Sequence, residues 1–101
     1  GVTIAAKTSS TGAGTCHPGD VLGLVHGDIV EIGDDVVAVA ERVVARIVSR
    51  GTELLTVVVG ASATDEQLEA LVASVAESRP DIEVDVLPGG QAHWPLILGA
   101  E

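Results

Sequence analysis

"ELLTVVVGASATDEQLEALVASVAESRPDIEVDVL", residues 53–87, is the stretch whose reading decides the fold. Its opening, 53–59, is nearly continuous apolar sequence, which predicts a central strand covered on both faces. Thr64 comes next with Gln67 three residues on, the spacing at which the two side chains satisfy each other's backbone N–H at a helix start. Leu68, Leu71, Val72 and Val75 then recur at helical spacing. Pro80, which has no N–H and clashes with the turn before it, forbids helix beyond Arg79. From Ile82 the pattern changes to alternation, with Ile82, Val84 and Val86 inward and Glu83 and Asp85 outward, a half-buried strand. Strand, helix and strand in so short a span predict a right-handed crossover and parallel pairing.

Working outward, Val2, Ile4 and Ala6 alternate with Thr3, Ala5 and Lys7, which predicts a strand within residues 1–10. Ser9 to Asp20 reads as a loop from its Gly, Ser, Thr and Pro content. Residues 21–25 and 28–32 flank His26-Gly27, a tight hairpin in which Gly27 supplies a positive φ. Asp34 or Asp35 caps a helix whose apolar face is Val36, Ala40, Val43 and Ile47, with Val37, Val44 and Val48 beside them, and Gly51 ends it. The last strand covers about 95–100. The order is β-β-β-α-β-α-β-β: an α/β (α+β) chain with a mixed sheet of about six strands and both helices packed mainly on one face. Residues 1–101 are read as a single domain, and the start without Met suits a piece of a longer protein.

Composition narrows the function classes. The core must be aliphatic, because Trp94 is the only aromatic residue and there is no Met. The net charge is −10, with Lys7, Arg42, Arg46, Arg50 and Arg79 the certain cations. Nucleic-acid binding draws on neutralised phosphates, so this surface would repel a phosphate backbone. Nothing apolar approaches the roughly 20 residues of a membrane span. One cysteine, Cys16, excludes an internal disulfide and suits a reducing, cytoplasmic setting. What remains is a protein that meets other proteins or small molecules.

Within the tail, Gly89-Gly90-Gln91 spells the peptide-release motif of translation termination factors, but its neighbours Asp85, Leu87 and Pro88 offer no basic flank for ribosomal RNA. Two readings stay open. The glycines allow a tight reversal with Gln91 bonded to the backbone, or the loop contacts a partner with Trp94 as its anchor beside Pro95. Arg42, Arg46 and Arg50 stand four apart and form one stripe on the first helix. That stripe either opposes the helix dipole or meets an acidic patch on another domain or partner. Cys16, His17, His26 and His93 lack zinc-ligand spacing, and Cys16–His17 lacks the orienting group a nucleophile pair needs. Thr64 to Gln67 is a cap rather than an acidic site, and no carboxylate pair suggests acid–base work. No catalytic, cofactor or metal residue is assigned.

The chain resembles the C-terminal region of the fatty acid kinase A subunits, bacterial proteins with a dihydroxyacetone-kinase-like domain at their N-terminus. The resemblance covers essentially the whole chain. It is carried by Gly19-Asp20, Gly23-Leu24 and Gly27, by Leu55-Thr56 and Gly60, by Pro80-Asp81 and Glu83-Val84, and by Gly89-Gly90-Gln91 with Pro95. It implies that the full-length parent is an ATP- and magnesium-dependent phosphotransferase acting on the carboxyl group of a fatty acid, which a separate DegV-like lipid-binding protein presents. It implies that nucleotide and magnesium belong to the kinase domain, and that this region engages the DegV-like protein or its own kinase domain, contributing to lipid metabolism without chemistry of its own. Candidate contacts are Gly89, Gly90, Gln91, Trp94, Pro95, Arg42, Arg46 and Arg50. The alternatives are a small-ligand or regulatory domain using a cleft between tail and parallel strands, and a structural cap on a larger C-terminal lobe. A homodimer stays open as an assembly.

Overall fold

The computed structural model describes residues 2–8, 20–25, 27–92 and 94–101, the first of these segments as backbone. In chain order the elements are β1 (Val2–Thr8), β2 (Val21–Val25), β3 (Asp28–Gly33), α1 (Val36–Ile47), β4 (Leu54–Val59), α2 (Asp65–Ser78), β5 (Glu83–Pro88) and β6 (Leu96–Ala100). All six strands join one sheet in the order β3-β2-β1-β6-β4-β5. The pair flanking α2, β4 and β5, is parallel, and every other neighbouring pair is antiparallel. The mixed sheet, its antiparallel N-terminal part and the element order are those the sequence predicts. The predicted loop over residues 9–19 lies outside the described residues, as does His26; Gly27 of the hairpin has φ 84°.

Local chemistry sets the helix starts. Asp35 Oδ2 accepts from the Ala38 N–H at 3.0 Å. Thr64 Oγ1 accepts from the Gln67 N–H at 3.1 Å, and Gln67 Oε1 accepts from the Thr64 N–H at 2.9 Å. Orphan donors at both N-termini are thus satisfied by side chains. Helix α2 stops at Ser78 with Arg79 as its cap, one residue before Pro80.

Helix α1 stops earlier than Gly51. It ends at Ile47, and Val48 is already extended. The cause is Thr52, whose Oγ1 takes the Ser49 N–H at 2.9 Å, the donor a continuing helix would have spent on its own backbone. The Ser49 carbonyl is shared by the Thr52 N–H and Arg79 Nη1.

Both helices lie on one face. Val39, Ala40, Val43 and Val44 of α1 and Leu71 and Val75 of α2 form a single cluster with Leu55 and Val57 of β4 and Leu96, Leu98 and Ala100 of β6. Each fully buried Leu or Val there contributes about 1.5–3 kcal/mol. Two sequence expectations need correcting. Strand β4 is not covered on both faces: Leu55 and Val57 are buried, whereas Leu54 and Val58, on the side without helices, are half-buried. Val86 shares the helix-side face with Val57 as predicted but is 41% exposed, because β5 is the edge of the sheet and Val84 is the residue of that strand packed against the cluster.

Candidate functional site

The tail loop between β5 and β6 is held against the end of β4 by backbone hydrogen bonds. The Gly89 and Gly90 N–H groups both donate to the Val59 carbonyl, at 3.0 and 2.9 Å; Ala61 N–H donates to the Gln91 carbonyl at 3.0 Å, and Gly60 N–H to the Pro95 carbonyl at 2.8 Å. Gly90 has φ 67°, a left-handed conformation that glycine adopts without strain. A Cβ at Gly60 would collide with the Trp94 carbonyl oxygen and come within 3.0 Å of the Gln91 carbonyl oxygen. Close approach of the two backbones therefore requires glycine there.

Gln91 points inward. Its Nε2 donates to the Val58 carbonyl at 3.2 Å, so the loop uses the glutamine as the backbone-bonding residue of a reversal. Pro95 is buried, Trp94 half-buried, and Gly89 and Gly90 are exposed. Of the tail candidates, these last three offer surface.

The arginines do not join the tail. Arg42 and Arg46 sit on α1 above β3, at the far edge of the sheet from β5, and both reach Glu31. Arg46 Nε donates to Glu31 Oε2 at 2.6 Å and its Nη2 to the Val30 carbonyl at 3.2 Å, while Arg42 Nη1 stands 3.7 Å from Glu31 Oε1. Arg50 lies in the turn beyond Val48, so the predicted stripe of three contains two. Sequence spacing along the helix did not reveal Glu31, because a cross-element pair leaves no local signal.

Cys16, His17, His26 and His93 lie outside the described residues. Among the described residues no three of His, Cys, Asp or Glu could hold a metal ion, and no helix is long and apolar enough to cross a membrane.

A family model for FakA-like C-terminal regions, the C-terminal part of the fatty acid kinase A subunits and their kin, matches residues 1–101. The chain belongs to that family. This FakA-like chain is 25% identical to Protein YloV of Bacillus subtilis over 100 residues, covering 99% of the chain and 18% of that protein. It is 27% identical to an uncharacterized protein of Staphylococcus haemolyticus, SH1689, over the same shares of each. To SAUSA300_1119, an uncharacterized protein of Staphylococcus aureus, it is 26% identical over 80 residues, 79% of the chain and 15% of the relative. The chain thus spans less than a fifth of the length of the curated relatives it matches.

On the helix side of this FakA-like domain, a groove of about 300 Å³ runs between α1 and α2. Val44, Val48, Val75 and Ile82 supply apolar lining, and Glu41 and Arg79 also border it. Arg79 is a fixed part of that border. Its Nε and Nη2 donate to the two carboxylate oxygens of Asp81, at 3.0 and 2.9 Å, and Nη1 donates to the Ser49 carbonyl at 3.0 Å. The bidentate hydrogen bond holds the Asp81 carboxyl below its usual range. Where the sequence predicts a cleft between tail and parallel strands, backbone hydrogen bonds bind the tail to the end of β4.

Proposed function

We propose that this chain is a non-catalytic interaction domain at the C-terminal end of a FakA-like fatty acid kinase protein, and that it binds a DegV-like fatty-acid-binding protein. The observation that carries the reading is membership, over residues 1–101, in a family defined as the C-terminal part of such proteins. ATP and magnesium belong to the kinase domain of the parent, which acts as an ATP-dependent phosphotransferase. The domain supplies a rigid platform, with Trp94, Gly89 and Gly90 displayed by a loop whose backbone is fixed to β4. A half-buried indole beside a fixed loop suits an interface anchor, since aromatic side chains give large contact area at low entropic cost. Arg50, and the outer faces of Arg42 and Arg46, are the contacts proposed for an acidic patch on the kinase domain.

The test is a titration of the purified DegV-like protein into the chain by calorimetry, alongside an ATP-hydrolysis assay of the chain alone. Saturable 1:1 binding without hydrolysis is expected. Absence of binding, or turnover of ATP, refutes the reading. A second reading has one observation in its favour: the groove between α1 and α2 is large enough for a small apolar ligand. A rise in melting temperature with fatty acids and no affinity for the DegV-like protein would favour it.

A further inference from the structure

We infer that the partner seats on the helix-free face of the sheet, and that its complementary surface is an apolar ridge flanked by lysine or arginine; this rests on the reading above. The register places one apolar row across all six strands. Ile29 pairs with Leu24, Leu24 with Ala5, Ala5 with Ile97, Ile97 with Val58, and Val58 with Leu87. Ile29, Leu24, Ile97, Val58 and Leu87 neither belong to the core beneath the helices nor pack against it. Ile29 and Leu87, at the two ends, are each 49% exposed, and Leu24, Ile97 and Val58 between them are half-buried. Neighbouring Ile32, opposite Leu22, is 37% exposed. Exposed apolar side chains at both ends of such a row, on a face without helices, are the kind of surface that marks an interaction site.

Charge selects the occupant. Along β5 the same face presents Glu83 and Asp85 before Leu87, both exposed, and among the described residues no cation pairs with either. Arg42, Arg46 and Arg79 are occupied with Glu31 and Asp81. A second copy would set Glu83 and Asp85 near their own kind on a chain of net charge −10, and an anionic membrane would be repelled for the same reason. A protein with cations beside an apolar ridge gains on both counts. The row also ends beside the tail loop, because Leu87 is followed two residues on by Gly89, whose N–H is bound to the Val59 carbonyl next to Val58.

The experiment measures the Kd of the purified DegV-like fatty-acid-binding protein of the same organism for four versions of the chain. These are the wild type, Ile29→Ser with Leu87→Ser, Glu83→Lys with Asp85→Lys, and Glu69→Lys with Glu77→Lys. The last pair makes the same change in net charge on exposed positions of α2. Both sheet-face pairs are expected to weaken binding tenfold or more, and the α2 pair to stay within twofold. The charge pair touches no apolar contact, so it tests the surface even if the serine pair folds poorly. Wild-type affinity in both sheet-face pairs overturns this inference and leaves the functional reading standing. A wild-type chain that does not bind the DegV-like protein overturns both. A wild-type dimer that the serine pair dissociates, with partner affinity unchanged, assigns the face to self-association and overturns the inference as well.

Discussion

At the scale of single residues, the tail shows how much a missing side chain can decide. Gly60 lies in ordinary backbone conformation, yet any Cβ there meets the Trp94 carbonyl. Gly60→Ala must separate two backbones that hydrogen-bond from Gly60 to Pro95, and it is expected to cost about 1–3 kcal/mol in chemical denaturation. Gly51→Ala is the control. Nothing approaches within 4 Å of a Cβ at Gly51, so the change should be neutral or stabilise by roughly 0.4–1 kcal/mol through the unfolded chain. Equal losses at the two positions would refute the close-approach argument. Trp94 is the complementary case, a residue half-buried rather than fitted into the core. Trp94→Ala should leave the denaturation midpoint near wild type while raising the Kd for the DegV-like protein about tenfold or more, as loss of an interface anchor does. An unchanged Kd removes Trp94 from the contact.

Elements bring in partners that spacing alone cannot reveal. Thr64→Ala removes one half of a reciprocal cap and should cost about 1 kcal/mol, with Thr64→Ser restoring most of it. A shifted midpoint with unchanged slope in urea would verify it. The link from the end of α2 to the turn after α1 is the Arg79 Nη1 hydrogen bond to the Ser49 carbonyl, and the Asp81 carboxylate that fixes the same guanidinium makes it depend on pH. Asp81 is held below its usual carboxyl range by the hydrogen bond from Arg79, so its contribution is complete above the unfolded-state value and disappears as pH falls through the lower folded-state value. Wild type should therefore lose stability faster than Asp81→Asn on acidification below the ordinary carboxylate range, and the two curves should converge once Asp81 is protonated. Parallel curves would show that the link contributes nothing. Both caps were legible in the sequence because their partners are three residues away. The end of α1 was not, since it depends on Thr52 capturing the Ser49 N–H. Nor was the division of the arginines, since Glu31 is fifteen residues from Arg46 along the chain.

For the whole molecule, the limit of sequence reading was the order of the strands. The bounds of β2 and the parallel pairing of β4 with β5 follow from local pattern. The insertion of the last strand, β6, between the first, β1, and β4 does not, because it is settled by contacts nearly the length of the chain apart. The continuous apolar run in β4 predicts cover on both faces, and the structure buries only the face of Leu55 and Val57. Among the described residues no helix covers the other, and there Leu54 and Val58 are only half-buried, which is why the inferred docking surface had no counterpart in the strand's own sequence. The acidic excess also acts globally. Fifteen carboxylates face five Lys and Arg, so repulsion should destabilise the compact state at low ionic strength. Raising salt from about 20 mM to about 300 mM is expected to raise the melting temperature by roughly 4–8 °C for each ~1 kcal/mol of repulsion screened. A fall would mean that the Glu31 and Asp81 pairs outweigh the repulsion.

The solitary indole has a practical corollary. With no tyrosine or phenylalanine in the chain, ultraviolet-excited emission comes from one address, the loop bound to the end of β4. Quenching and wavelength shifts therefore watch that loop alone, while circular dichroism watches the sheet and helices. Any mismatch between the two melting profiles would time the release of the tail relative to the collapse of everything else.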